Sequence, residues 1–263
     1  MKKIKNNEIL YHIGLSKDMI KNANYAILIN DKQFVEPIAK ILDKDAKYLS
    51  ENREYFTYLA TVKGHKIVVI STGLGGPAMG IGIEEFATIG LKYFIRLGET
   101  GALQYDMNIG DLVISKASMR MEGTSKHYAP ENYPAVASLE MTNTFRETLK
   151  YHNLKFHYGI TVTTDTFWPA QGRRGYLDFI PPKYANILEE WRKYKILSVD
   201  MELSTLFTLC NVFNLEAVAV LDVINRNFEG DFINELDNES RISNWKIFLK
   251  DAVVMDMHRR ELI

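Results

Sequence analysis

Cysteine is scarce in this sequence, and long apolar runs are absent. Cys210 is the only cysteine among 263 residues, which excludes an internal disulfide and a cysteine-rich zinc cluster. No apolar run approaches the roughly 20 residues that would span a bilayer. The polar residues 1–6 lead into no apolar signal region, so no secretion signal is expected. These absences together predict a protein of the reducing cytoplasm that does not bind membranes.

An excess of charge of either sign is also lacking. Lys and Arg together number 32 against 33 for Asp and Glu, which gives a formal net charge of -1. Like charges form no blocks, so a broad basic surface for nucleic acid is not expected. The balance fits a small ligand that is neutral or carries a single charge. With 46% hydrophobic and 25% charged residues, the composition is that of an ordinary globular protein with a sizeable core.

The spacing of apolar residues predicts strands that alternate with helices. Such alternation, with no internal repeat and no linker in residues 1–263, is typical of a single α/β domain. Cys210 shares its helical spacing with Leu203 and Phe207, so we expect a buried core thiol rather than a catalytic one. The predicted strands are residues 25–29, 56–62, 66–70, 111–118, 156–163 and 217–224. The predicted helices are residues 34–42, one that the turn at residues 71–77 opens and that reaches about residue 90, residues 139–151, residues 203–213 and a closing one from about Ser243.

Residues 94–104 form the stretch around which a small-molecule site is expected. An apolar strand runs into a polar segment that Gly98 and Gly101 bracket and that contains Arg96 and Glu99. We expect the glycines to let the chain turn sharply at the strand end and approach a ligand, because ligands of α/β sheets bind beyond the carboxyl ends of strands. An ordinary strand-to-loop turn with a surface ion pair is the alternative.

Two further segments have the composition of a binding site. The glycine-rich turn at residues 71–77 opens a helix and would present free N–H groups that suit an anion. A glycine turn that serves close packing alone is the alternative. Residues 164–174 bring aromatic rings, an amide and guanidinium groups together.

Six segments, taken in order, resemble one known family. They are NREY (52–55), STGLGGP (71–77), RLGETGALQ (96–104), MEGTSKHYAP (121–130), DTFWPAQGR (165–173) and DME (200–202). No single segment is decisive, but six in register are specific, and they resemble the nucleoside phosphorylase family, in particular its uridine phosphorylase branch. The resemblance implies one α/β domain with a central, mixed, partly barrel-like sheet flanked by helices. It also implies a homo-oligomer, built from dimers that usually form a hexamer as a trimer of dimers, and we expect no cofactor and no metal ion.

The resemblance implies how ribose would be bound. Glu202 would receive the ribose hydroxyls, Met201 would pack under the sugar, and His12 would cross from the neighbouring subunit to the 5′-hydroxyl. Cleavage of an N-glycosidic bond builds positive charge on the ribose and negative charge on the base, so the site needs acceptors for hydroxyls and donors for anions. Without the resemblance, the alternative for Glu202 is a helix N-terminal acid. The alternative for His12 is an ordinary exposed side chain.

A second group of residues is implied to bind the base. It consists of Thr100, Gly101, Phe167, Gln171, Arg173 and Arg226. Uracil presents two carbonyl acceptors with an N–H between them, which a carboxamide and a guanidinium two residues apart can address together. Gln171 and Arg173 meet that requirement. Phe167 would stack on the pyrimidine, and Arg226 would support its O4 side. For Arg173 a solvated surface charge is the alternative.

The expected phosphate site departs from the family pattern. Arg96 is in place, as is Arg53 from the neighbouring subunit, but Phe34 stands where the turn after the first strand should carry an arginine. Lys32 is expected to substitute in part. Glu99 replaces a threonine that would contact phosphate and ribose. A Glu99 charge about 4 Å from phosphate would repel it by about 4 kcal/mol at an effective dielectric near 20, which is roughly a thousandfold in affinity.

Three functions therefore stay open. The first is phosphorolysis of uridine to uracil and ribose 1-phosphate, with Glu99, Arg96 and Glu202 as the catalytic groups. The second is hydrolysis, in which Glu99 lies between Arg53 and Arg96 and activates water as a general base. The third is a nucleoside-binding protein without turnover. Asp222 lies one residue out of register with the aspartate of purine-specific relatives and is expected on the opposite face of its strand, so we assign it no role.

Overall fold

Ten strands in the described residues, 4–227 and 236–263 of the computed structural model, form one continuous mixed sheet. The strands are β1 (Tyr25–Ile29), β2 (Lys47–Asn52), β3 (Tyr55–Val62), β4 (His65–Ser71), β5 (Tyr93–Ala102), β6 (Leu112–Met121), β7 (Ala135–Val136), β8 (Phe156–Thr164), β9 (Ser198–Asp200) and β10 (Glu216–Arg226). The order β10-β6-β8-β9-β5 is closed into a ring by the parallel pairing of β5 with β10. The sheet extends from β5 through β1, β4, β3 and β2, while β7 pairs with β6. The predicted mixed, partly barrel-like sheet is confirmed.

Seven α-helices of the described chain cover the two faces of this sheet. They are α1 (Lys17–Ile20), α2 (Val35–Leu42), α3 (Gly76–Ile89), α4 (Leu139–Tyr151), α5 (Ile187–Lys193), α6 (Leu203–Val212) and α7 (Asn238–Arg259). Successive strand residues point to opposite faces. In β5, Ile95 packs with α2, α4 and α7, whereas Phe94 packs with α3 and α6. Strand β1 is buried along its whole length, as expected for a strand with helices on both sides.

Local sequence signals explain where several helices begin and end. Gly90 ends α3 in the left-handed conformation, with φ 109°, which glycine adopts without steric cost. Helix α7 begins at Asn238, before the predicted Ser243, because the Asp237 side chain accepts a hydrogen bond of 2.8 Å from the backbone N–H of Ser240. This N-cap adds a turn to the helix.

The predicted turn at Gly98 and Gly101 is wrong, because β5 continues to Ala102. Strand β10 pairs with β5 over this whole length and keeps it extended. The glycines serve close approach instead. A Cβ at Gly98 would lie 3.2 Å from Cζ of Arg96, and one at Gly101 would lie 2.6 Å from the side-chain amide of Asn227.

One sequence expectation concerns the interior of the protein. Cys210 is buried in α6, and burial raises the pKa of its thiol well above the usual range. The predicted core thiol is confirmed.

Within residues 4–227 and 236–263, no helix has both the length and the apolar character needed to cross a membrane.

Asp222 is a carboxyl group buried inside the protein, between β10 and α7. Its Oδ1 accepts a hydrogen bond of 3.3 Å from Asn244 Nδ2. Burial raises the pKa of Asp222 to about 7, while the Asn244 hydrogen bond and the charge of Arg241 lower it in part. An unfolded aspartate ionises near pH 4. Between about pH 4 and pH 7 the unfolded state therefore binds fewer protons than the folded state, and stability falls as pH rises through this window.

We expect Asp222→Asn to stabilise the protein at pH 8 by about 2–4 kcal/mol, because the amide stays neutral when buried. At pH 4.5 the gain should nearly vanish, since the native carboxyl group is then protonated. Urea unfolding of both proteins at the two pH values measures the difference. Asp106→Asn, at an exposed position, is the control. An Asp222→Asn effect of equal size at both pH values would contradict this account.

Candidate active site

A cavity of about 280 Å³ opens at the carboxyl ends of β1, β5 and β10. These strands are parallel, so the residues that follow them meet at one edge of the sheet. The lining residues are Asn30, Leu74, Glu99, Thr100, Gly101, Phe167, Gln171, Arg173, Val199, Asp200, Met201, Glu202, Ile224 and Asn225. Eight predicted site residues are therefore brought together from three separate segments of the sequence. They are Glu99, Thr100, Gly101, Phe167, Gln171, Arg173, Met201 and Glu202.

Glu202 is the carboxylate that three donors hold in the cavity wall. Its Oε1 accepts hydrogen bonds from the backbone N–H of Gly75 at 2.6 Å and from Asn30 Nδ2 at 3.3 Å. Its Oε2 accepts one from Arg96 Nη2 at 2.5 Å. The glycine-rich turn at the start of α3 was expected to bind an anion through its N–H groups. In the structure, the N–H of Gly75 in this turn binds the Glu202 carboxylate. A carboxylate offers about four acceptor positions, so about one is left for a ligand hydroxyl.

Arg96 lies directly behind Glu202 and is completely buried. Its Nε and Nη1 have no hydrogen-bond partner among the residues that the structure describes. Buried donors are nearly always paired in native proteins. The N–H groups on these two nitrogens of Arg96 therefore remain for a further acceptor. The positive charge of Arg96 favours an anion as that acceptor.

Asp200 fixes the backbone that carries Glu202. Its Oδ2 accepts hydrogen bonds from the backbone N–H groups of Glu202 and Leu203, at 3.0 and 2.8 Å, and its Oδ1 accepts one from Thr163 Oγ1 at 2.6 Å. Burial and the neighbouring charge of Glu202 raise the pKa of Asp200 to about 7. The sequence marked Asp200 as part of a matching segment, but gave no sign of this orienting role.

Gln171 and Arg173 bring an amide and a guanidinium to the cavity wall. Gln171 is buried, and its Nε2 donates to Thr164 Oγ1 at 3.3 Å. The Arg173 guanidinium lies 4.5 Å from the centroid of the Phe167 ring and donates to the side-chain oxygen of Asn227. Burial lowers the pKa of Arg173 to about 10, so it is still charged at neutral pH. Arg173 is not a solvated surface charge.

Glu99 forms an ion pair with Arg241, a residue of α7 that sequence reasoning missed. Alternation along β5 places Arg96 on the side of α3 and α6 and Glu99 on the side of α7. Arg96 accordingly pairs with Glu202, and Glu99 pairs with Arg241. No motif marks Arg241. The one available signal is general, since a carboxylate at the end of a buried strand calls for a nearby cation.

His12 and Arg53 lie together on the surface, outside the cavity of their own chain. His12 Nδ1 lies 2.6 Å from Glu85 Oε1, and Arg53 Nη2 donates to the hydroxyl of Tyr11 at 3.1 Å. Asn52 joins the two segments, because its Nδ2 donates to the backbone carbonyls of Tyr11 and His12 at 2.9 and 2.8 Å. These contacts hold a histidine and an arginine at one exposed place.

Lys32 and Arg226 do not line the cavity among the described residues. The ammonium of Lys32 forms an ion pair of 2.9 Å with Glu51 on the surface. Arg226 ends β10, just beyond the lining residues Ile224 and Asn225. Asp222 faces α7 instead of the cavity.

The amino-acid sequence of this chain is similar to those of several known proteins. A sequence profile of the phosphorylase superfamily matches residues 24–249. The chain is 38% identical over 227 residues to a uridine phosphorylase of Haemophilus influenzae, covering 86% of this chain and 90% of that protein. It is 40% identical over 222 residues to a uridine phosphorylase of Thermococcus kodakarensis, covering 84% and 79%. A guanosine phosphorylase of Halorubrum lacusprofundi is 32% identical over 198 residues, covering 75% and 76%. The superfamily match spans every lining residue and Arg241.

Proposed function

Because the chain belongs to the phosphorylase superfamily, we propose that it cleaves pyrimidine nucleosides, uridine first among them, by transferring the ribose to phosphate. One observation carries the proposal. A single cavity is lined by the Gln171 amide, the Arg173 guanidinium and the Glu202 carboxylate, to which Arg96 is bound. These groups match the base, the sugar and the anion of a phosphorolysis reaction.

Base choice is assigned to Gln171 and Arg173. The relatives include a guanosine phosphorylase as well as uridine phosphorylases, so superfamily membership alone does not fix the base. Uracil offers carbonyl acceptors to the guanidinium and the amide, and an N–H to the amide oxygen. Gln171 is buried and Arg173 is half-buried, and a base that left them unpaired would lose affinity. Arg173 also lies where negative charge would develop on the departing uracil.

The ribose is assigned to Met201 and Glu202. The remaining acceptor position of Glu202 would receive a ribose hydroxyl, and Met201 would pack beneath the sugar. The negative charge of Glu202 also favours the positive charge that builds on the ribose as the glycosidic bond breaks. Asp200 supports this by fixing the Glu202 backbone.

The ion pair between Glu99 and Arg241 favours phosphate as the acceptor of the ribose. A bare Glu99 would repel phosphate by about 4 kcal/mol at 4 Å, but a guanidinium about 6 Å away returns about 3 kcal/mol of attraction at the same effective dielectric near 20. Arg241 is placed to supply that attraction because it is bound to Glu99. Arg96 and Arg53 of a neighbouring subunit would add positive charge. We assign no phosphate contact to Lys32, whose ammonium is bound to Glu51.

Hydrolysis is the second candidate because Glu99 lies in the cavity wall. A carboxylate beside the ribose can activate water as a general base. Against this, Glu99 Oε1 is bound to Arg241, and the side chain lies on the face of β5 opposite Arg96. Phosphorolysis is therefore the better supported reaction.

The test is uracil release from uridine with and without inorganic phosphate. We expect release only with phosphate, together with ribose 1-phosphate as the second product. Glu202→Gln, which keeps the shape of the side chain but removes its charge, should abolish release and controls for contaminating enzymes. Release without phosphate would show hydrolysis, and uridine binding without release would show a binding protein.

Gln171→Leu should lower kcat/KM for uridine by roughly 5- to 150-fold, because a lost hydrogen bond at a buried site costs about 1–3 kcal/mol. Discrimination between uridine and purine nucleosides should fall as well. Gln104→Leu is a matched control, since this amide donates to the carbonyl of Ile196 at 2.6 Å, away from the cavity. Unchanged discrimination in Gln171→Leu would remove the pyrimidine assignment.

We further propose that His12 and Arg53 act in the cavity of a neighbouring subunit, so that the dimer is the smallest complete enzyme. Reassociated mixtures of His12→Ala and Glu202→Gln should then recover activity, up to about a quarter of wild type, because half of the dimers are hybrids with one intact site each. Each variant reassociated with itself is the control. Inactive hybrids, or an active monomer in sedimentation, would contradict this arrangement.

A further inference from the structure

We propose that Arg241 is a positioning residue that sets how strongly the cavity holds an anion, and that it acts by neutralising Glu99. The inference rests on the proposed function in one respect, namely that the anion is the phosphate co-substrate. Arg241 itself does not line the cavity among the described residues, whereas Glu99 does. A ligand in the cavity can therefore contact Glu99 directly, whereas Arg241 acts on it through its charge alone.

The surroundings of Arg241 fix its guanidinium in place. The side chain is 4% exposed, and its Cζ lies 4.2 Å from the centroid of the Phe34 ring and 5.5 Å from that of Trp245. Both rings are fully buried and pack edge to face, with centroids 5.4 Å apart. A guanidinium held against two aromatic faces has little freedom to follow a ligand. Arg241 is thus a fixed positive charge behind Glu99.

Arg241 is one of the charged groups around the cavity, although it does not line the wall. Three acids line the cavity, and they are Glu99, Asp200 and Glu202. Arg173 is the positively charged residue of the lining, and Arg96 and Arg241 lie directly behind the acids to which they are bound. Loss of Arg241 would leave the Glu99 carboxylate in the cavity wall without the cation to which it is bound. The same loss would leave Asp222, which also feels the charge of Arg241, without that support.

The position of Glu99 makes it the carboxylate that an incoming anion meets. The Glu99 side chain is 35% exposed, whereas that of Glu202 is 2% exposed. Glu202 also has three donors, so its charge is already compensated. An anion near the end of β5 therefore senses Glu99 most strongly, and the pairing with Arg241 decides how much of that repulsion remains.

The experiment is a double-mutant cycle on Glu99 and Arg241, read by phosphate KM and by calorimetric titration with inorganic phosphate. Arg241→Gln should raise the phosphate KM by at least about 30-fold, a value reduced for solvent screening at the partly exposed Glu99. The KM for uridine should stay within about threefold. Glu99→Gln should leave the phosphate KM equal or lower, since Arg241 is then an unpaired cation. The double variant should return to within about fivefold of wild type, which is a coupling that independent sites would not show.

Arg260→Gln is the matched control. Arg260 follows α7, is similarly buried and pairs with Glu216 and Asp256 far from the cavity. Its loss should lower thermal stability without changing the phosphate KM. Arg241→Lys, which retains the positive charge, should recover part of the phosphate affinity lost in Arg241→Gln.

The outcomes separate this inference from the proposed function. A double variant as weak for phosphate as Arg241→Gln would overturn the inference, because the effect would then be structural. Equal rises in the KM of phosphate and of uridine would overturn it too. Phosphate binding together with phosphate-independent uridine cleavage would overturn the proposed function alone. A wild-type protein that binds no phosphate would overturn both.

Discussion

The buried carboxylate of Glu202 is the group on which the candidate site depends. A charge that is 2% exposed needs both an opposite charge and hydrogen bonds to offset the loss of water. Arg96 supplies the charge, and Gly75 and Asn30 supply two further hydrogen bonds. These partners come from β5, from the start of α3 and from the turn after β1. One carboxylate thereby fixes the relative positions of three elements around the cavity.

The cavity uses cations in two different ways. Arg173 lies in the wall, stacked on Phe167, where a ligand can contact it directly. Arg96 and Arg241 lie behind carboxylates and reach a ligand through them or beside them. A wall built in this way can receive hydroxyl groups and an anion within a small volume. Carboxylates alone would repel the anion, and exposed guanidinium groups alone would give the hydroxyls no acceptor.

Much of this arrangement follows from local sequence. Helix α4 occupies the predicted residues 139–151, and the matching segments identified eight residues of the cavity wall. Residues whose partners lie far away in sequence were harder to predict. Gly98 and Gly101 predicted a turn because glycine often breaks strands, but pairing with β10 overrides that preference. Arg241 was missed because its partners, Glu99 and Phe34, are distant in the chain and no local pattern records such a contact.

The ion pair between Glu99 and Arg241 also fixes the rotation of α7 about its own axis. An α-helix turns by about 100° per residue, so a shift of one residue in its register would direct the guanidinium away from β5. Asp237, which caps the first turn, and Trp245, which packs against Phe34, hold the helix in its observed register. The charge of the cavity is thus tied to the angular setting of a helix that does not line it. An insertion or deletion inside α7, between Asn238 and Arg241, would be felt at the cavity even with all of its wall residues intact.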